Sequence, residues 1–228
     1  MTIKNRLGEG LYCITCEEHS AGRTALATAA EMLAAGAKII QYREKEKTKR
    51  QKYLDCAALR AMTLAGGALF IVNDDVDIAL AVKADGAHLG QDDMPIEAAR
   101  SILGAGAVIG VSTHSPAQAQ EAVRRGADYI GVGPLFPTRT KKDVCAAVGL
   151  EYLDYAAGNL EIPFVAIGGI KLRNLEEVVR RGARCVALVT EITGAPDIKG
   201  RIGEVMGILA RYERRSRPRF DNFTVLDK

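Results

Sequence analysis

The chain lacks any long apolar run. None of its hydrophobic stretches approaches the roughly 20 residues that a membrane-spanning helix needs, although 48% of its residues are hydrophobic. The opening Met1-Thr2-Ile3-Lys4-Asn5-Arg6 leads into no extended apolar segment and no small-residue cleavage pattern. A secretory signal is therefore not expected, and a cytoplasmic address is. Charge of one sign is also lacking. The formal net charge is +3, and Arg211 to Lys228, with six basic and three acidic residues, account for all of it; the chain up to Ala210 carries 25 charges of each sign. A balanced body offers no electrostatic footprint for nucleic acid. The basic tail reads as a solvated, frayed terminus. Ordered cysteine spacing is missing too. Five cysteines are scattered, and the one close pair, Cys13 and Cys16, lies in and just after an apolar run, not where a helix begins. No second pair completes a zinc set, so reduced, partly buried thiols are expected.

What the sequence does have is alternation. Short apolar runs occupy Gly10–Thr15, Lys38–Tyr42, Leu69–Val72, Gly86–Leu89, Val108–Ser112, Tyr129–Val132, Phe164–Ile167 and Cys185–Val189. They are near-continuous, as parallel strands covered on both faces are. Between most of them lie stretches of helical period, such as Leu26, Ala29, Ala30, Leu33 and Ala34, or Leu175, Val178 and Val179. Glycines in Ala35-Gly36-Ala37, Asp85-Gly86, Arg125-Gly126-Ala127 and Arg181-Gly182-Ala183 suit the left-handed position that ends a helix. Eight strand–helix units predict an α/β fold, a single (β/α)8 barrel over 1–212 followed by a flexible basic tail, 213–228.

In such a barrel the working face is the carboxyl end of the strands. The residues just after each run are Gln41 to Lys45, Asn73-Asp74-Asp75, Gln91-Asp92-Asp93, Ser112-Thr113-His114, Gly133 to Lys142, Gly168-Gly169 and Val189-Thr190. Asp74 and Asp93 stand on neighbouring strand ends. They suit either helix N-caps or hard oxygen ligands for Mg²⁺, completed by waters and phosphate oxygens. Arg43, Lys45 and Lys141 would converge on the same mouth as phosphate-binding cations, which favours the metal reading. Gly168-Gly169 and Val189-Thr190 follow strands seven and eight, where barrels recurrently bind phosphate. One mouth with two anion regions is the expectation.

Gln41-Tyr42-Arg43-Glu44-Lys45, Val72-Asn73-Asp74-Asp75, Gly86 to Asp93, Gly110-Val111-Ser112, Gly131 to Pro134, Pro137-Thr138-Arg139-Thr140-Lys141-Lys142-Asp143 and Ala166 to Ile170 together resemble the signature of the thiamine-phosphate synthase family, in order from about Leu11 to Ile192. The resemblance implies a Mg²⁺-dependent transferase that joins a hydroxymethylpyrimidine diphosphate to a thiazole phosphate. It implies that Gln41, Arg43, Lys45 and Asn73 bind the pyrimidine diphosphate and that Asp74 and Asp93 hold the metal. Ser112 and Lys141 would contact the diphosphate, so that Arg43, Ser112 and Lys141 carry catalysis. Thr138, Arg139 and Thr140, with Gly169, Val189 and Thr190, would receive the thiazole phosphate. The expected partners are these small molecules, with no nucleic acid and no membrane; a homo-oligomer is compatible with the sequence. Two other readings compete: a thiazole tautomerase using His114 or His88 as acid–base, and a phosphate sensor that kept the barrel. The combined acids and cations favour the synthase, and a structural hydrogen bond is the expectation for His114.

Overall fold

The computed structural model describes residues 7–138, 140 and 146–216, the last four without their side chains. Its strands are β1 (Gly10–Leu11), β2 (Cys13–Ile14), β3 (Ile39–Tyr42), β4 (Leu69–Asn73), β5 (Gly86–Leu89), β6 (Val108–Thr113), β7 (Tyr129–Val132), β8 (Phe164–Ile167) and β9 (Cys185–Ala187). The helices are α1 (Ala25–Ala34), α2 (Lys49–Ala65), α3 (Val76–Ala81), α4 (Ile96–Leu103), α5 (Pro116–Arg124), α6 (Gly149–Asn159), α7 (Leu172–Arg180), α8 (Val189–Thr193) and α9 (Ile198–Ser216). Every strand pairing is parallel, in the order β1-β9-β8-β7-β6-β5-β4-β3-β2. Only Tyr12 separates β1 from β2. The first stave therefore pairs with β9 on one side, through Tyr12 N to Val186 O at 2.9 Å, and with β3 on the other, through Thr15 N to Gln41 O at 2.9 Å. The sheet closes into the expected eight-stave barrel. The tail expected from 213 lies, past Ser216, outside the described residues.

Both faces of the staves are buried, which explains their unbroken apolar character. Successive strand residues point to opposite faces. In β3, Ile39 joins the barrel interior while Ile40 and Tyr42 join the layer under the helices; in β4, Leu69 and Ile71 point in while Phe70 and Val72 point out. Helix faces close the outer layer with small residues, including Ala29 of α1, Ala99 of α4 and Ala119 and Ala122 of α5. The buried face of α1 is Ala25, Thr28, Ala29 and Met32, rotated from the expected one.

The helix-to-strand turns follow the expected pattern at Gly36, Gly126 and Gly182, which take positive φ of 88°, 86° and 99°. Gly86 departs from it. Lys83 takes the left-handed φ of 54° there, and Gly86 is a strand residue whose Cβ would collide with the Val108 carbonyl. Two of these turns share a further device. Asp85 accepts the Phe70 N–H at 2.8 Å and the Arg60 guanidinium at 2.8 Å. Asp128 accepts the Ile109 N–H at 2.8 Å and Arg100 at 2.6 Å. Each carboxylate ties the start of one strand to its neighbour and to the helix outside.

The Asp128 side chain is only 3% exposed, so its removal would leave the buried Ile109 N–H without its acceptor and the Arg100 guanidinium without its carboxylate. Asp128→Ala is expected to cost about 2–4 kcal/mol, read as a lowered midpoint in urea or thermal unfolding. A change within about 0.5 kcal/mol, the range of ordinary surface substitutions, would contradict this role.

Candidate active site

The carboxyl ends of the staves surround a cavity with about 1100 Å³ of empty space, open mouth included. Gln41, Arg43, Asn73, Ser112, Thr138, Thr140, Gly169, Val189 and Thr190 line it, all of them singled out by the sequence. Alternation along the strands brings them together. Gln41 shares the inward face of β3 with Ile39, and Asn73 extends the inward face of Leu69 and Ile71 to the end of β4. Arg43 follows β3, and its backbone N–H is fixed by Thr15 Oγ1 at 3.0 Å. Its buried Nε has no hydrogen-bond partner among the described residues. A buried guanidinium nitrogen without an acceptor costs free energy, and a ligand oxygen entering the cavity would remove that cost. Arg139 and Lys141 lie outside the described residues.

The acids form a cluster of their own beside this cavity. Asp74 takes a left-handed φ of 60°, a conformation strained for a side chain other than glycine. Its backbone N–H donates to His88 O at 2.9 Å. Its carboxyl meets that of Asp93 and the ammonium of Lys45. Burial and the abutting Asp93 raise the Asp74 carboxyl above its ordinary value, against the lowering effect of Lys45. Asp93 also accepts the Gly90 N–H at 2.6 Å. The N-cap alternative fails for both: α3 is preceded by Asp75, which caps nothing and pairs with Lys49 and Lys52 instead, and α4 is preceded by Pro95. Two pressed-together carboxyls fit a hard divalent cation that finds its remaining oxygens on water and ligand. Among the described residues no group of three or more His, Cys, Asp or Glu side chains gathers for a metal.

The opposite wall is built from two loops in contact. Gly168 and Gly169 have φ of 95° and 66°, and a Cβ at Gly169 would come within 2.8 Å of the Phe136 and Pro137 carbonyl oxygens. Glycine is thus needed there for the loops after β7 and β8 to touch. Val189 begins the short helix α8; it does not end the last strand, which stops at Ala187. Thr190 Oγ1 accepts from Lys171 Nζ at 2.8 Å, a cation that sequence reading passed over because it follows Gly169-Ile170 as an ordinary helix-entry residue. Across the wall, Thr138 and Thr140 hydroxyls lie 3.0 Å apart.

The histidines behave differently from each other. His114 Nδ1 is 2.6 Å from Gly133 O, the structural strand-end bond expected of it. His88 lies deeper, with Nδ1 3.0 Å from Tyr129 Oη and Nε2 2.9 Å from Ser112 Oγ. Tyr129 and Tyr12, whose hydroxyls are 2.6 Å apart, were not legible as site residues. The one available signal was the inward series Tyr129, Gly131, Gly133, a large residue followed by two that leave space. The Cys13 and Cys16 thiols are both pushed up, Cys13 to about 12, by burial, the reverse of activation.

A closed barrel whose carboxyl end carries a half-buried arginine, an acid pair and a glycine-built wall belongs among anion-handling barrel enzymes. Relatives narrow the class. The family model described as thiamine monophosphate synthase matches residues 11–192. The thiamine-phosphate synthase of Pelotomaculum thermopropionicum is 56% identical over 211 residues, 92% of this chain and 97% of that protein. That of Lawsonia intracellularis is 52% identical over 199 residues, 87% and 92% of the two chains. The solved thiamine phosphate pyrophosphorylase from Pyrococcus furiosus superposes with a TM-score of 0.83 at 38% identity, over 92% of this chain and 99% of that one. The chain belongs to the thiamine monophosphate synthase family and is an enzyme of the transferase class that acts in thiamine biosynthesis.

The acid pair yields a direct test. In Asp93→Asn the charge beside Asp74 is gone, so the Asp74 carboxyl is expected to titrate at lower pH than in the unaltered protein. Carboxyl ¹³C NMR titration without added metal reads this. An unchanged or higher value would mean that the two carboxyls do not interact.

Proposed function

We propose that this enzyme condenses 4-amino-2-methyl-5-(diphosphooxymethyl)pyrimidine with a thiazole phosphate, giving thiamine phosphate and diphosphate. The observation that carries the reading is the buried Arg43 Nε without an acceptor, facing a cavity that Asn73, Ser112 and Gln41 share. Arg43 binds the diphosphate oxygens as a rigid donor fork, and Ser112 adds a hydroxyl. Gln41 and Asn73 orient the pyrimidine part. Lys45 lies at the rim through its bond to Asp74, ready to exchange a carboxylate for a phosphate oxygen. Lys141, outside the described residues, is assigned to the diphosphate as well. A magnesium ion held by Asp74 and Asp93 would supply charge neutralisation for the leaving group.

In this mechanism the bond from the methylene carbon to the diphosphate oxygen breaks, and its electron pair leaves with the diphosphate. Charge grows on the departing oxygens in the transition state, where Arg43, Ser112 and Lys141 meet it with donors already in place. The aminopyrimidine stabilises positive charge at the methylene carbon. The thiazole nitrogen then donates its lone pair to that carbon, and a carbon–nitrogen bond forms. The nitrogen carries no hydrogen, so no general base is required. Gly169, Thr190, Val189, Thr138, Arg139 and Thr140 hold the thiazole phosphate against the carbon, which supplies proximity.

The reaction consumes small molecules alone, and a cytoplasmic site of action agrees with it. The four described cysteines are buried free thiols, and among the described residues no helix is long and apolar enough to cross a membrane.

Mixing both substrates with the protein and Mg²⁺ is expected to release thiamine phosphate and diphosphate in equal amounts, and chelation of the metal is expected to stop it. Asp74→Ala or Lys141→Ala is expected to lower turnover by roughly two orders of magnitude or more, with a thermal midpoint close to that of the parent. Near-normal turnover in either variant would contradict the assigned roles.

A further inference from the structure

Five side chains form a continuous line across the barrel interior. Gln41 Nε2 is 3.0 Å from Tyr12 Oη, which is 2.6 Å from Tyr129 Oη. Tyr129 Oη is 3.0 Å from His88 Nδ1, and His88 Nε2 is 2.9 Å from Ser112 Oγ. We propose that Tyr12, Tyr129 and His88 form a one-way hydrogen-bond chain that fixes His88 as the Nε2–H tautomer and turns the Ser112 hydroxyl hydrogen into the cavity as an anion donor. The inference deepens the reading above and rests on it for the identity of the anion, the diphosphate.

Counting hydrogens gives the direction. An amide nitrogen can only donate, so Tyr12 Oη accepts from Gln41 and passes its own hydrogen to Tyr129. Tyr129 accepts and donates to His88 Nδ1, which must then carry a lone pair. A neutral imidazole with a bare Nδ1 holds its hydrogen on Nε2, and that hydrogen faces Ser112 Oγ. The serine oxygen accepts, and its hydrogen is left for a ligand. The reverse direction would require the Gln41 nitrogen to accept, which it cannot do. An imidazolium would donate to Tyr129 and leave one of the two tyrosine hydrogens unbonded. Tyr12 is 2% exposed and Tyr129 fully buried, so that loss would carry the full desolvation cost. Burial also pushes both phenols well above their ordinary range, so each keeps the hydrogen that the count assigns to it. The ring of Tyr129 fits this place because the neighbouring strand has Gly110, where any Cβ would collide with it.

Tyr12, Tyr129 and His88 are on this account positioning residues: they act through Ser112. A serine hydroxyl rotates freely in water, and a donor aimed before the ligand arrives need not be reoriented when charge develops.

Two measurements test the chain. The first is the ¹⁵N–¹H long-range correlation spectrum of the unliganded wild-type protein, with the signal assigned by its loss in His88→Asn; the chain has three histidines in all. A pyridine-like Nδ1 and a protonated Nε2 are expected. A protonated Nδ1, alone or with Nε2, would overturn the proposal whatever the protein catalyses. The second is calorimetric binding of inorganic pyrophosphate with Mg²⁺ to wild type, Tyr129→Phe, Ser112→Ala and the double variant. Tyr129→Phe is expected to weaken binding about tenfold in the wild-type background and less than about twofold in the Ser112→Ala background, because the two groups act as a unit. Equal factors in both backgrounds would show a merely structural tyrosine and overturn the positioning role. A wild-type protein with the expected tautomer that binds no pyrophosphate would sink the anion-donor half together with the reading above, whereas the wrong tautomer would sink the chain alone. The spectrum needs no tyrosine variant, so poor folding of Tyr129→Phe would not spare the proposal.

Discussion

Closure of the barrel by one interrupted stave is the constraint on which everything else depends. The residues around Tyr12 must reach Val186 on one side and Gln41 on the other, and the ring exists only because they do. A closed ring has no free edge, and it points all its carboxyl ends at one mouth. That is how Arg43, Asn73, Ser112 and Gly169, spread over more than half of the chain, come to line a single cavity. The cost of closure is a crowded interior. Glycines at positions 86 and 110 admit a neighbouring backbone and a tyrosine ring where any side chain would collide. The ring admitted at Gly110 is that of Tyr129, whose hydroxyl lies within hydrogen-bond distance of Tyr12 and His88.

That polar interior separates two jobs. Below the mouth, Leu69, Ile71, Val108 and Val165 make an apolar floor. Above it, Gln41, Tyr12, Tyr129, His88 and Ser112 are joined by hydrogen bonds that would be expensive to break in so buried a place. Beside them sits a pair of acids held together against their own repulsion, one of them on strained backbone. Strain of this kind persists only where the surroundings over-determine it. Here those surroundings are the Lys45 ammonium and the His88 carbonyl. This end of the barrel therefore presents positive and negative groups side by side.

Much of this could be read from the residues. The apolar runs located each stave to within about two residues, because parallel strands buried on both faces leave an unbroken signal. The strand-end polar residues were legible because the barrel has one working face. What escaped had physical reasons. Gly86 resembled a helix-ending glycine, yet the demand on it comes from Val108, a neighbour in space that local sequence does not announce. Val189 extended an apolar run but starts a helix. Tyr12 and Tyr129 looked like ordinary core, since only the ring of strands brings their hydroxyls together from 117 residues apart. Lys171 was hidden for a similar reason: its partner Thr190 belongs to the next unit.

The central claim is that one mouth joins Arg43, Asp74 and Asp93 around a magnesium-escorted diphosphate. A crystal structure grown with Mg²⁺ and inorganic pyrophosphate tests it most directly. The account places the metal between Asp74, Asp93 and pyrophosphate oxygens, with the Arg43 guanidinium on the same anion. Pyrophosphate bound elsewhere, or bound at this mouth with the metal away from both carboxylates, would contradict it.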